Sequence, residues 1–205
     1  MVSIMKQKFK PIHIELPAWM QPLLDATEIF TTREERMRFV IELSRQNIEH
    51  CTGGPFGAAI FDMDNGRLIA AGVNMVTTVG LAVAHAEIIA LMQAQAILGS
   101  FNLGNPEMPH CELVTTTAPC AMCLGAVPWS GVCALVCGAR DEDARAVGFD
   151  EGSKPLNWVR ELEIRGIEVV CDVLRDEATA VLKDYVKKGG IVYNGRCGDK
   201  IFTGQ

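Results

Sequence analysis

Residues 113–139 read LVTTTAPCAMCLGAVPWSGVCALVCGA, from Leu113 to Ala139, without one charged side chain. A membrane crossing takes about 20 consecutive apolar residues, so the length alone fits a span. The internal punctuation does not. Pro119, Pro128 and three glycines break the run, and Thr115, Thr116 and Thr117 stand in a row before them. The stretch reads better as strand, loop, helix and strand inside a folded interior. Cys111 to Thr116 predicts a strand, Cys120 to Ser130 a helix interrupted or ended near Pro128, and Gly131 to Ala139 a fully buried strand.

Working outward, the same logic fills both flanks. Upstream, Thr32-Arg33-Glu34-Glu35 fits a capping box, and Met37, Val40, Ile41 and Ile48 follow at helical spacing, so a helix runs from Arg33 to about His50. Phe56 to Phe61 and Leu68 to Val73 are short apolar runs around an Asn65-Gly66 hairpin signal. His85 to Leu98 is rich in helix formers and ends at Gly99. Downstream come a polar loop from Arg140 to Pro155, a helix from Leu156 to Arg165, a strand from Ile167 to Cys171, and an amphipathic helix from Arg175 to Lys188. A helix, a hairpin, then alternating helices and strands specify an α/β layered sheet. The chain divides into an N-terminal extension (1–31, with at most a short helix), one domain (32–188) and a tail (189–205).

Composition narrows the function. The chain has 205 residues, a formal net charge of −6 and 8 cysteines. That charge disfavours a dedicated nucleic-acid binder, whose affinity comes from basic side chains on phosphates. The cysteines are too few for a disulfide scaffold. The start, Met1 to Lys8, lacks the apolar core of a secretory signal, so the expected setting is cytoplasmic with reduced thiols and no membrane.

Chemistry concentrates in His85-Ala86-Glu87 and in Pro119-Cys120-Ala121-Met122-Cys123. Apart, each is weak: a lone His on an apolar helix is usually structural, and a lone C-x-x-C occurs by chance or as a redox pair. Together, two thiolates and one imidazole make a catalytic zinc set, since three protein ligands leave the fourth position open to water. Glu87, two residues after His85 at a helix start, is placed to face that water without becoming a ligand. Helix N-termini favour thiolate and developing negative charge.

This combination resembles the zinc deaminases that act on nucleobases, the cytidine-deaminase-like superfamily. The resemblance implies a three-layer α/β/α sandwich with a mixed central sheet. The run Val114 to Gly138, with Ala118 to Ala126 and Trp129-Ser130-Gly131, looks like the purine-deaminating branch, which includes guanine deaminases and tRNA adenosine deaminases. Ala146-Val147-Gly148-Phe149-Asp150-Glu151-Gly152 and the tail Ile191 to Cys197 are similar to bacterial guanine deaminases, some of which also accept the triazine ammeline. The likeness covers roughly residues 33–198.

From it follow expected roles. His85, Cys120 and Cys123 would hold one zinc per subunit, and Glu87 would shuttle protons. Glu151 would assist near the exocyclic amine, with Asp150 beside it in the substrate loop. Asn74 would bond the purine, Phe56 and Phe149 would wall the ring, the Ala86 backbone N–H would meet the substrate near the reacting carbon, and Tyr193 would close over the site. The implied activity is hydrolysis of guanine to xanthine and ammonia, and the implied assembly is a homodimer. The bland alternatives are a strand-end Asn74, core aromatics at Phe56 and Phe149, a solvated acidic face at Glu151 and an ordinary tail residue at Tyr193. Cys133 and Cys137 read as core thiols. Rival functions are a guanosine, cytosine, triazine or tRNA adenosine deaminase, a non-catalytic zinc-binding protein, and a thiol redox protein.

Overall fold

A computed structural model describes residues 10–25 and 29–195. The readings of Met1–Lys8 and of Arg196 and Cys197 lie outside these residues. A single turn of 3-10 helix (Ala18–Met20) and α1 (Gln21–Leu24) form the described helical part of the N-terminal extension. Then follow α2 (Arg33–Glu49), β1 (Gly57–Asp62), β2 (Leu68–Val73), α3 (Val76–Val79) and α4 (Ala86–Leu98). The second half contains β3 (Cys111–Thr117), α5 (Ala121–Ser130), β4 (Ala134–Ala139), α6 (Asp141–Ala146), α7 (Trp158–Glu163), β5 (Glu168–Val170) and α8 (Arg175–Lys187).

The sheet order is β2-β1-β3-β4-β5. The first three strands pair antiparallel and the last three parallel, so the sheet is mixed. One face packs Met37, Val40 and Ile41 of α2 and Val181 and Leu182 of α8 against Phe61, Val114 and Val136. The other packs Ala90 and Ala94 of α4, Val127 of α5 and Leu162 of α7 against Ile60, Leu113 and Leu135. These are the three layers expected. Every residue of β3 and β4 is buried, which accounts for the unbroken apolar run of β4 and for the absence of alternation in β3. No helix among the described residues is long and apolar enough to cross a membrane.

Local chemistry accounts for the element ends. Thr32 accepts from the Glu35 backbone at 3.2 Å, and the Glu35 carboxylate accepts from the Thr32 backbone at 3.0 Å, closing the capping box at the start of α2. Gly66 sits at φ +73°, a left-handed conformation that suits glycine in the β1–β2 turn.

Four expectations change. Pro128 does not end α5, which continues to Ser130 and stops at Gly131 in the left-handed conformation. Gly131 and Cys133 therefore precede β4 instead of opening it. Helix α6 lies inside the expected polar loop 140–155: the Asp143 carboxylate accepts from the Arg140 backbone at 2.8 Å, and Arg175 pairs with Asp143 and Glu142. Those partners come from α8, so no local pattern announces the helix. The element expected over Leu156 to Arg165 is confined to Trp158–Glu163, because Leu156 is fully exposed and has no core to join.

Candidate active site

The two motifs meet where two helices begin. His85 is the N-cap of α4 and Cys120 the N-cap of α5, both in extended backbone conformations, and Cys123 follows in the first turn of α5. The sheet ends at Thr117, so Ala118 and Pro119 swing Cys120 toward the start of α4. His85 Nδ1 lies 3.5 Å from Cys120 Sγ and 3.6 Å from Cys123 Sγ. All the donor atoms of the triad lie within 4.8 Å of one another.

Tetrahedral zinc with Zn–S of about 2.3 Å and Zn–N of about 2.0 Å requires N···S edges of about 3.5 Å. The two N···S edges of the triad match that ion, and its donor set is the soft sulfur and imidazole combination zinc prefers. Hydrogen bonding from Cys123, with His85 contributing, lowers the Cys120 thiol to about 4, while the same pairing and burial push Cys123 the other way. One proton shared among close sulfurs is what a cation replaces.

The triad borders a cavity of about 350 Å³. Phe56, His85, Glu87, Cys120, Phe149, Asp150, Glu151 and Tyr193 line it, so most of the residues expected at the site come together. Cys123, buried in the first turn of α5, is not among the lining residues, and neither are Asn74 and Ala86. These last two are buried just behind the wall: Asn74 follows β2 directly, and Ala86 opens α4. Asn74 Oδ1 accepts from the Val76 backbone at 3.2 Å, and its Nδ2 has no partner among the described residues.

Glu87 is 6% exposed, in the first turn of α4. Burial raises its pKa above the ordinary carboxylate range, and the Cys120 charge adds to this. Glu151 is 5% exposed, which removes the solvated-acid reading. Burial, then the charges of Cys120 and Glu87, push it up to about 8. A bound dication would pull both back down. The two acids therefore sit in one cavity where either can hold or release a proton.

The walls are aromatic. Phe56 and Phe149 meet edge to face at 4.9 Å, and Tyr193 lies 5.6 Å from Phe149 and 6.5 Å from His85. Phe149 also stacks on Tyr185, so it belongs to the core and the cavity at once. The tail reaches the site within the same chain. Asn194 Oδ1 accepts from Asp150 N at 2.9 Å, and Asn194 Nδ2 donates to Gly148 O at 2.9 Å. Asp150 itself faces Arg145 at 3.5 Å and caps Gly152 N.

Sequence reasoning missed Lys154. It is nearly buried, donates to Pro119 O at 2.6 Å, pairs with Asp141 and lies 5.3 Å from the Trp158 ring centre. Together with the Ala121 N–H to Glu151 O bond at 2.9 Å, it ties the Glu151 loop to the residue before Cys120. A single Lys following an acidic loop was the only signal. Lys154→Met should lower kcat about 10- to 100-fold with zinc retained, the range for residues that orient metal and acid groups from behind. Steady-state kinetics with metal analysis checks it.

The fold and site define a zinc-dependent hydrolase centre with an acid beside the metal. Residues 30–139 match the family described as the cytidine and deoxycytidylate deaminase zinc-binding region, and the chain belongs to that family. The chain is 37% identical to the guanine deaminase of Bacillus subtilis over 118 residues, 58% of this chain and 71% of that one. It is 31% identical to a tRNA-specific adenosine deaminase of Haemophilus influenzae over 171 residues, 80% of this chain and 90% of that one. The structure of a guanine deaminase from Nitrosomonas europaea superposes with a TM-score of 0.83 at 47% identity, covering 87% of this chain and 98% of that chain. NE0047 in complex with 2,6-diaminopurine superposes with a TM-score of 0.84 at 49% identity, covering 90% and 97%.

Proposed function

We propose that the protein deaminates guanine, converting guanine and water to xanthine and ammonia. The observation that carries this is the placement of two buried carboxyl groups, Glu87 and Glu151, in one aromatic-walled cavity beside the His85, Cys120 and Cys123 triad. The likeness to guanine deaminases over nearly the whole chain supports the same reading. A net charge of −6 favours a small base over tRNA within a family that serves both.

The triad would hold zinc, which when bound supplies a Lewis acid that makes water a nucleophile near neutral pH. Glu87 takes the proton of the attacking water and delivers it to the ring nitrogen beside C2. Once the carbon is tetrahedral, the exocyclic nitrogen takes a second proton and leaves as ammonia. Glu151 holds that amine and can carry the second proton. Guanine presents N1–H and amino donors on one edge, which a carboxylate accepts together. Asn74 and Tyr193 each keep a buried polar atom without a partner among the described residues, and these would bond the base. Phe56 and Phe149 confine the ring.

Finer points belong to the same proposal. The exposed apolar side chains Met92, Ile97, Phe101, Met122 and Trp129, on or beside α4 and α5, support a homodimer built on that face. The need for two thiolates supports a reducing, cytoplasmic setting, and the conversion of guanine to xanthine supports a place in purine catabolism.

Zinc-loaded protein, carrying about one ion per chain, should form xanthine from guanine, followed by ultraviolet absorbance. Ammeline, guanosine, cytosine and tRNA adenosine complete the panel, with ammeline expected as the secondary substrate. Absence of turnover on guanine alone would reassign the substrate, and absence on all would leave a zinc-binding protein.

A further inference from the structure

The N-terminal extension has no part in the chemistry above, yet it reaches the wall behind the substrate cavity through hydrogen bonds. Trp19 stacks flat on His50 at the end of α2, with ring centres 5.5 Å apart and planes 8° from parallel. Its Nε1–H donates to Thr52 Oγ1 at 3.0 Å. The Thr52 hydroxyl in turn donates to Asn47 Oδ1 at 2.7 Å. Asn47 is fully buried on α2, and its Nδ2 donates to Gly54 O at 2.8 Å and to Asn74 O at 2.9 Å.

The direction of each bond is fixed. Asn47 Nδ2 faces two carbonyl oxygens, so the amide cannot flip without setting oxygen against oxygen. Its own oxygen is then left to accept, and Thr52 is the donor that meets it. Trp19 supplies the N–H that orients the Thr52 hydroxyl toward Asn47. Each end of the relay therefore defines the next group.

The relay ends at the substrate wall. A Cβ on Gly53 would lie 1.7 Å from Asn74 O, so the turn runs against the Asn74 backbone with no side chain between. A Cβ on Gly54 would meet Tyr193 Oη at 2.8 Å and Asn74 Oδ1 at 3.2 Å. Asn47 thus bridges the Gly54 turn to Asn74 and sets the spacing between the two groups proposed to bond the base. None of Trp19, Thr52 or Asn47 lines the cavity.

We infer that Trp19, Thr52 and Asn47 are positioning residues for substrate binding, through which the N-terminal extension holds Asn74 and the Gly54 turn in register with Tyr193. The inference rests on the guanine reading for the identity of the ligand. It concerns binding of the base and not the proton transfers, because the relay touches neither the triad nor Glu87.

The test uses the full-length zinc-loaded chain with Trp19→Phe, which keeps the stack on His50 but lacks the N–H, and with Thr52→Val and Thr52→Ser. Thr52→Val should raise KM for guanine about tenfold with kcat within about twofold, as expected when a hydrogen bond ordering a buried binding group is lost. Trp19→Phe should raise KM about threefold to fivefold, and Thr52→Ser should restore the parent value. The Kd for 8-azaguanine, measured by calorimetry, should shift in parallel, while zinc content stays at the parent level. A KM and Kd at the parent value in Thr52→Val, whether or not its Tm falls, would make the relay merely structural and overturn the inference. So would an equal fall in kcat with KM unchanged. If the parent chain does not act on guanine at all, the functional reading fails first. The relay is then judged on the Kd for whichever base of the substrate panel the parent turns over.

Discussion

Glu87→Ala is expected to lower kcat for guanine by about 10³- to 10⁴-fold while the protein keeps its zinc, at the upper end of what one general acid–base group contributes. The argument is geometric first. Glu87 lines the cavity, stands two residues from the His85 N-cap and lies outside the triad, so its removal leaves all three metal donors in place. Hydrolysis moves a proton from water to the ring and another to the departing amine. Without Glu87 the transfer from the attacking water to the ring has no carrier in the cavity, and Glu151 is left to serve the amine alone. Glu87→Gln keeps the shape and loses the proton, so it should fall nearly as far. Zinc content and kcat measured on the same samples decide the matter, and activity within about tenfold of the parent would remove Glu87 from proton transfer.

The two acids need not be equivalent. Glu87 is mounted on the first turn of α4, a rigid element that also carries His85. Glu151 is mounted on a loop, held by its own carbonyl to Ala121 and by Lys154 three residues on. An acid fixed to the metal-bearing helix suits a transfer that must be aligned with the attacking water. An acid on a tethered loop suits the exocyclic amine, which changes from planar to tetrahedral and then leaves. Both helix N-termini face the same cavity and stabilise negative charge there.

The layered fold was readable because its core signals are local. The uncharged stretch 113–139 carries most of β3 and all of α5 and β4, and Pro119 and Gly131 mark their junctions. The metal triad was readable for a different reason: both motifs sit at helix entries, where the residue types alone imply the chemistry. What could not be read is held by distant partners. Lys154 acts through Pro119 O, the relay joins Trp19 to Thr52 across 33 positions, and α6 depends on Arg175 from α8. Asn74 was singled out only by resemblance, since the Gly54 turn that packs against its side chain comes from 20 positions earlier in the chain. Glu112 is the sharpest case. It lies within the Cys111 to Thr116 strand reading, and nothing nearby in the sequence shows that its carboxylate is buried with distant partners.

Glu112→Ala should destabilise the fold by about 3–5 kcal/mol, the cost of leaving a buried charge without its partner. The Glu112 side chain is completely buried on β3, accepting from Arg36 Nη1 at 2.8 Å and from Arg33 Nε at 2.8 Å. Arg33 has a second carboxylate, Glu168, at 2.6 Å, and is partly exposed, so it tolerates the loss. Arg36 has not. Its side chain is 8% exposed, and among the described residues it keeps the Phe30 carbonyl at 3.2 Å and the face of Phe61 but no second carboxylate. At about 2–4 °C per kcal/mol for a chain of this size, Tm should fall by about 6–20 °C. If the orphaned charge is the cause, then Arg36→Met combined with Glu112→Leu should recover most of the loss, because an apolar pair of similar volume needs no compensation. Calorimetry on the three proteins separates this from simple loss of packing, which the double variant would not repair. Below the transition, kcat per zinc-loaded molecule should stay at the parent value in all three. Glu112 lies near the start of β3 and the zinc-ligand loop leaves its far end, so the ion cluster sets how firmly the strand is held and not how the site is shaped.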